Sequence, residues 1–142
     1  MARSSKPRKR YVPKQKSLPV VFRHDAEGER NLSLYPHLEL MKLKNGVADE
    51  AAIHTLAARL NIAYVLAGNT NQSEEAVEVF VKALDAVRSM DARFGKVGKV
   101  GATGDELMAL GEALNLADEL QAGRTRREIR DATEYVWKVA AH

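Results

Sequence analysis

From residue 50 onward, apolar residues recur every three or four positions, the spacing that lays a stripe along one face of an α-helix. In "ADEAAIHTLAARLNIAYVLAG" the stripe is Ile53, Leu56, Leu60, Tyr64 and Ala67. Acidic residues precede it, where the positive end of a helix favours them, and Gly68 closes it. A second helix is expected after the polar turn "NTNQS", with Ser73 as cap, Val77, Phe80, Leu84 and Val87 inward, and an end near Gly95. A third opens on Thr103 and Glu106, spaced as a capping box, and carries Leu107, Leu110, Leu114 and Ala117 before Gly123. The box recurs as Thr125 and Glu128, opening a last helix whose inner face reads Ile129, Ala132, Val136 and Val139.

Residues 17–46 are less regular. "LPVVF" suits a short strand, and "NLSLYPHLELMKLK" alternates in a way that fits either a strand or a helix beginning at Pro36; a helix over 36–44 is the expectation. The fold class that follows is all-α, a bundle of four to five helices in antiparallel hairpins. A shift of 54 residues superposes Leu56, Leu60, Asn61, Ala63 and Leu66 on Leu110, Leu114, Asn115, Ala117 and Leu120. An internal helical-hairpin duplication would leave this trace, and so would chance between two amphipathic helices. The repeated asparagine, a poor interior helix residue, favours the former and predicts that Asn61 and Asn115 hydrogen-bond across helix interfaces.

Between the second and third helices, "RFGKVGKVGATGD" places glycines at 95, 98, 101 and 104. A phosphate-binding Walker loop needs Ser or Thr after Gly-Lys, and Val100 follows Gly98-Lys99 here. A dinucleotide fingerprint needs a preceding strand, and this run lies between helices. The Gly-x-x-Gly spacing matches the backbone clamp of KH domains, but their sheet could come only from residues 17–46. The run reads as a flexible connection between helices.

Charge changes this picture at the amino terminus. Residues 1–16 contain seven of the 22 basic residues and none of the 19 acidic ones, which leaves 15 basic against 19 acidic over residues 17–142, a formal charge of −4. The chain divides into a basic arm, 1–16, and a single helical domain, 17–142. With two prolines, two serines and few apolar groups, the arm is expected to be disordered in isolation.

Candidate chemistry is sparse. The absence of cysteine excludes a disulfide framework, a thiolate metal site and a cysteine nucleophile. His24, His37, His54 and His142 are scattered without metal-ligand spacing, there is no Gly-x-Ser-x-Gly elbow, and the acids Glu74, Glu75, Glu78, Asp118 and Glu119 read as solvated surface. No catalytic residue, cofactor or metal is expected, so the chain reads as a non-enzyme. No unbroken apolar run approaches the roughly 18 residues of a membrane span, which points to a cytoplasmic protein without a membrane partner.

What remains is cationic. The candidate nucleic-acid contacts are Arg3, Lys6, Arg8, Lys9, Arg10, Lys14 and Lys16 in the arm, and Arg124, Arg126, Arg127 and Arg130 at the start of the last helix. The turn at Gly123 followed by Ile129 and Ala132 fits part of a helix-turn-helix, although Glu119 stands where that motif prefers a small residue. The competing reading is a solvent face in which Arg127–Asp131 and Arg130–Glu134 pair at i,i+4. The opening "MARSSKPRKRYVPK" joined to a small cysteine-free helical domain resembles, in general character, small accessory proteins of proteobacterial phages and prophages. That resemblance implies action by binding and brings no catalytic residues. The expectation is a binding protein whose arm contacts nucleic acid nonspecifically, or an acidic protein surface, while the body docks a protein partner or self-associates. The alternative is a phage-type inhibitor or adaptor that engages a host protein through its acidic helical body.

Overall fold

The computed structural model describes residues 26–68 and 74–140, which contain five α-helices and no strand. These are α1 (Ala26–Lys44), α2 (Glu50–Gly68), α3 (Glu74–Val97), α4 (Gly104–Ala122) and α5 (Arg126–Ala140). The basic arm, "LPVVF" and Ser73 lie outside the described residues.

α2 is the axis of the bundle and packs against all four other helices. Its apolar residues do not keep to one stripe: Ile53, Leu56, Leu60, Ile62 and Leu66 are buried, and Ala52, Ala58, Ala63 and Ala67 between them let neighbouring backbones come close. By length and composition it would suffice to cross a membrane, contrary to the expectation drawn from unbroken apolar runs, but 61% of that span is buried inside the bundle. It is a core helix. α1, α3 and α4 surround it, with α4 also packed against both α1 and α3. Phe80, Ala83, Val87 and Met90 of α3 and Leu110, Ala113, Leu114 and Ala117 of α4 complete the core as their spacing predicts.

α1 corrects the expectation of a start at Pro36. The helix begins ten residues earlier and runs through the proline, whose ring is fully buried. Proline inside a helix forfeits one backbone hydrogen bond. Extending the helix upstream, however, brings Leu32 into the core on the same face as Pro36, Leu40 and Leu43, and that burial offsets the loss.

Local chemistry sets the helix ends. Gly46, at φ 73°, terminates α1: its N–H bonds the Leu43 carbonyl and the Val47 N–H bonds the Lys42 carbonyl, a Schellman arrangement. Both capping boxes form. Thr103 Oγ1 accepts from the Glu106 N–H while Glu106 accepts from the Thr103 N–H, and Thr125 and Glu128 repeat the exchange. The reciprocal bonds hold the Glu128 carboxyl below its usual range.

The glycine run is a helix connection, as expected, but an anchored one. α3 continues past Gly95 to Val97, where Gly98 adopts φ 70° and donates its N–H to the Phe94 carbonyl at 2.8 Å. Val100 then turns into the core. Arg93 reaches over from α3, donating to the Gly101 carbonyl at 3.0 Å and to both carboxylate oxygens of Glu106. The Arg93 hydrogen bonds are the main reason the Glu106 carboxyl sits below its usual range.

The hairpin pairing of α2 with α3 is not repeated by α4 and α5. α5 leaves its chain neighbour and packs against α2. The duplicated leucine positions occupy equivalent buried sites in α2 and α4, but neither asparagine bridges helices: Asn61 Nδ2 donates to the Ala57 carbonyl of its own helix, and Asn115 is exposed.

Of the run's four glycines, only Gly98 adopts a conformation that glycine alone accommodates without strain. Gly98→Ala should therefore lower the unfolding free energy by about 1–2 kcal/mol in urea titration. Gly101→Ala and Gly104→Ala, whose added methyls meet open space, should leave it unchanged or raise it by about 0.4–1 kcal/mol.

Candidate functional site

The feature that sequence reasoning missed is a charge in the core. Arg59 lies on the α2 face turned towards α1 and α4, and its side chain is fully buried. Nη2 donates to Asp118 Oδ1 at 2.7 Å and Nη1 donates to Gln121 Oε1, both on α4. From α1, Ser33 Oγ donates to Asp118 Oδ1 at 3.0 Å, and His37 Nε2 lies 2.7 Å from Asp118 Oδ2. Because a carboxylate only accepts, that imidazole nitrogen carries the proton. Burial pushes the Asp118 carboxyl up, yet hydrogen bonds from His37, Arg59 and Ser33 outweigh it and hold the group below its ordinary value. Burial likewise lowers Arg59, with Asp118 acting against it, and a guanidinium remains cationic under such conditions. Asp118 is therefore not the solvated surface acid expected: it is the counterion of a buried arginine.

The cationic candidates divide. The arm's seven lie outside the described residues. Arg124 is half-buried, with Nη1 3.8 Å from Glu128, whereas Arg126, Arg127 and Arg130 are exposed on α5. The expected i,i+4 pairs are absent among the described residues; Arg130 instead lies 3.8 Å from Asp131. At 100° per residue, Arg126, Arg130 and Trp137 fall within about 40° of one another on one flank of α5, Glu128, Asp131, Tyr135 and Val139 share another, and Glu134, Arg127 and Lys138 lie between the two. A helix-turn-helix is not built, because its second helix must pack on the first and α5 packs on α2 instead.

Two residues expected to face inward do not. Tyr64 is 41% exposed and Val139 55% exposed. Both line a cleft between α2 and α5 whose larger lobe, about 520 Å³, also includes Val65, Val77, Asp131 and Tyr135, and whose smaller lobe, about 270 Å³, extends to Asn61 and Val139. The spacing placed both residues on apolar stripes, but α5 covers only part of the α2 face it meets. Among the described residues no three His, Asp or Glu side chains come together as a metal site would need.

Comparison with protein-family models, curated proteins and solved structures finds no match to this chain.

The Arg59 network yields an asymmetry. Asp118→Ala strands a buried guanidinium and should cost about 3 kcal/mol, the lower end for a broken buried pair because Asp118 is itself partly exposed. Arg59→Met removes the charge along with its desolvation penalty and should cost clearly less in the same urea titration.

Acid titration tests the same network. Asp118 titrates lower folded than unfolded, so its contribution is complete above the unfolded value near 3.9 and is lost as pH falls below it. Glu106 and Glu128 act in the same direction. Stability should thus fall steeply below about pH 4, and Asp118→Asn should flatten that dependence.

Proposed function

We propose that this chain is a non-enzymatic binding protein that engages a polyanion, nucleic acid in the first instance, through its basic arm and the arginine flank of α5, while the helical body presents a surface to a protein. The observation that carries this reading is the cluster of exposed arginines at the start of α5. Arg126, Arg127 and Arg130 stand exposed there, and Arg126 and Arg130 share a flank with Trp137. Guanidinium groups beside an aromatic ring suit phosphate and base together. The arm adds seven cations without an acid, a composition that yields salt-dependent affinity with little sequence preference.

The alternative, an inhibitor or adaptor that engages a host protein through its acidic body, draws on a different surface. Leu34, Leu38 and Met41 of α1 are 50%, 40% and 57% exposed at the four- and three-residue spacing of a helix–helix seam. If that face carries the function, Leu38→Asp should abolish recovery of a nuclease-resistant partner from host lysate without altering the melting temperature.

Fluorescence anisotropy with labelled DNA and RNA across a salt series tests the polyanion reading. Deleting residues 1–16 should remove most of the affinity. Arg126→Gln, Arg127→Gln and Arg130→Gln together should weaken binding and reduce the slope of log K against log salt by about 0.9 for each duplex phosphate that is no longer neutralised. The melting temperature should barely move, because exposed arginines contribute little to stability. Binding that survives both changes intact would refute the reading.

A further inference from the structure

We propose that α5 is a latch: it comes off α2 as a unit, turning about the connection at Gly123–Thr125, while α1, α2, α3 and α4 stay folded. This motion is independent of what α5 or the arm binds.

The α5 side of the contact buries little apolar surface. Ile129, Ala132 and Thr133 are its buried residues, so one large apolar side chain anchors a helix of 15 residues, with Val136 and Trp137 half-buried beside it. By comparison, α3 buries Phe80, Val87 and Met90, and α4 buries Leu110, Leu114 and Leu120.

The α2 side shows the same deficit. At 100° per residue, Ala57, Asn61, Tyr64, Val65 and Gly68 fall within about 100° of one another, on the side of α2 opposite Arg59. Four of them, Asn61, Tyr64, Val65 and Gly68, line the cleft at α5. None of the five is buried, whereas Leu56, Leu60, Ile62 and Leu66 on the remaining faces are at most 2% exposed. The Arg59 network and the leucine core therefore lie away from α5, and its departure leaves them closed. Helices with few buried apolar contacts open at lower free energy than the core they rest on.

The connection suits a hinge. Gly123 donates its N–H to the Leu120 carbonyl and Arg124 donates to that of Gln121, so these bonds belong to the end of α4. The Thr125–Glu128 capping box belongs to α5 and travels with it. The ion pair Arg124–Glu128 crosses the junction, but at 3.8 Å and with a half-exposed carboxylate it holds weakly. Arg124 Nε is buried without a hydrogen-bond partner among the described residues, an unmet donor that opening returns to water. Opening uncovers Ala57, Asn61, Tyr64 and Val65 of α2 together with Ile129 and Ala132 of α5, a surface that the closed bundle does not present.

The natural absence of cysteine makes the test direct. In the full-length chain, Ala132→Cys on the underside of α5 is compared with Ala113→Cys on α4, both buried positions. Under native conditions a thiol reagent should label Ala132→Cys roughly a hundredfold faster, since only α5 must open to expose it. Small additions of urea should accelerate that labelling weakly and Ala113→Cys steeply, because the slope follows the surface exposed. Equal rates with equal slopes would overturn the proposal, since α5 would then leave only when the whole bundle unfolds. Amide hydrogen exchange of the unaltered protein, read by mass spectrometry, is independent of either substitution. An isolated helix of this length is marginal in water, so the amides of α5 should exchange together from the open state and ahead of those of α2 and α4. Exchange that rises gradually towards the carboxyl terminus, with the amides around Ile129–Thr133 as slow as those of α2, would show end fraying and would overturn it as well.

Discussion

The Arg59 guanidinium is the charge around which three helices have to agree. An ion moved from water to a protein interior carries a penalty of several kcal/mol, and only close partners offset it. Here the partners come from elsewhere in the chain: Asp118 and Gln121 on α4 receive the guanidinium, Ser33 on α1 donates to the same Asp118 oxygen as Arg59, and His37 holds the other oxygen. Rotating α4 by one residue would swing Asp118 by about 100° and leave the buried charge unmatched. Apolar packing tolerates small slips between helices, whereas this network does not. It gives the bundle one register.

That arrangement also accounts for the division of the surface. With the core charge paired on the side of α1 and α4, the opposite side of α2 is left to α5, which approaches with Ile129 and Ala132 buried and Arg126, Arg127 and Arg130 exposed. Arg126, Arg130 and Trp137 share one flank, Asp131, Tyr135 and the cleft lie on another, and Arg127, Glu134 and Lys138 fall between them. A single amphipathic helix thus borders both a group of exposed arginines and a largely apolar cleft.

The connection between α3 and α4 follows the same logic on a smaller scale. Its glycines suggest freedom, but Gly98 uses its conformational latitude to end α3, Val100 enters the core, and Arg93 clasps both the Gly101 carbonyl and Glu106. Glu106 thereby completes the capping box of α4 and an ion pair to α3 with one carboxylate. The loop positions two helices instead of gripping a ligand.

What the sequence by itself determined is local. The 3.6-residue spacing marked α2, α3, α4 and α5, both capping boxes were readable because their donors and acceptors stand three residues apart, and the all-α class follows from those elements. The buried leucines of α2 and α4 were legible for the same reason. Tertiary structure alone decided the rest. Arg59 and Asp118 are 59 residues apart, and nothing near either announces the other; the one available hint was that Arg59 is the only arginine or lysine of α2. The start of α1 ahead of Pro36 depends on a core that Leu32 can enter, the pairing of α5 with α2 overrides chain adjacency, and the exposure of Tyr64 and Val139 reflects how little of α2 a short helix can cover. Spacing along a chain reports which face of a helix is apolar; which neighbour meets that face, and how completely, is set by packing among all the helices at once.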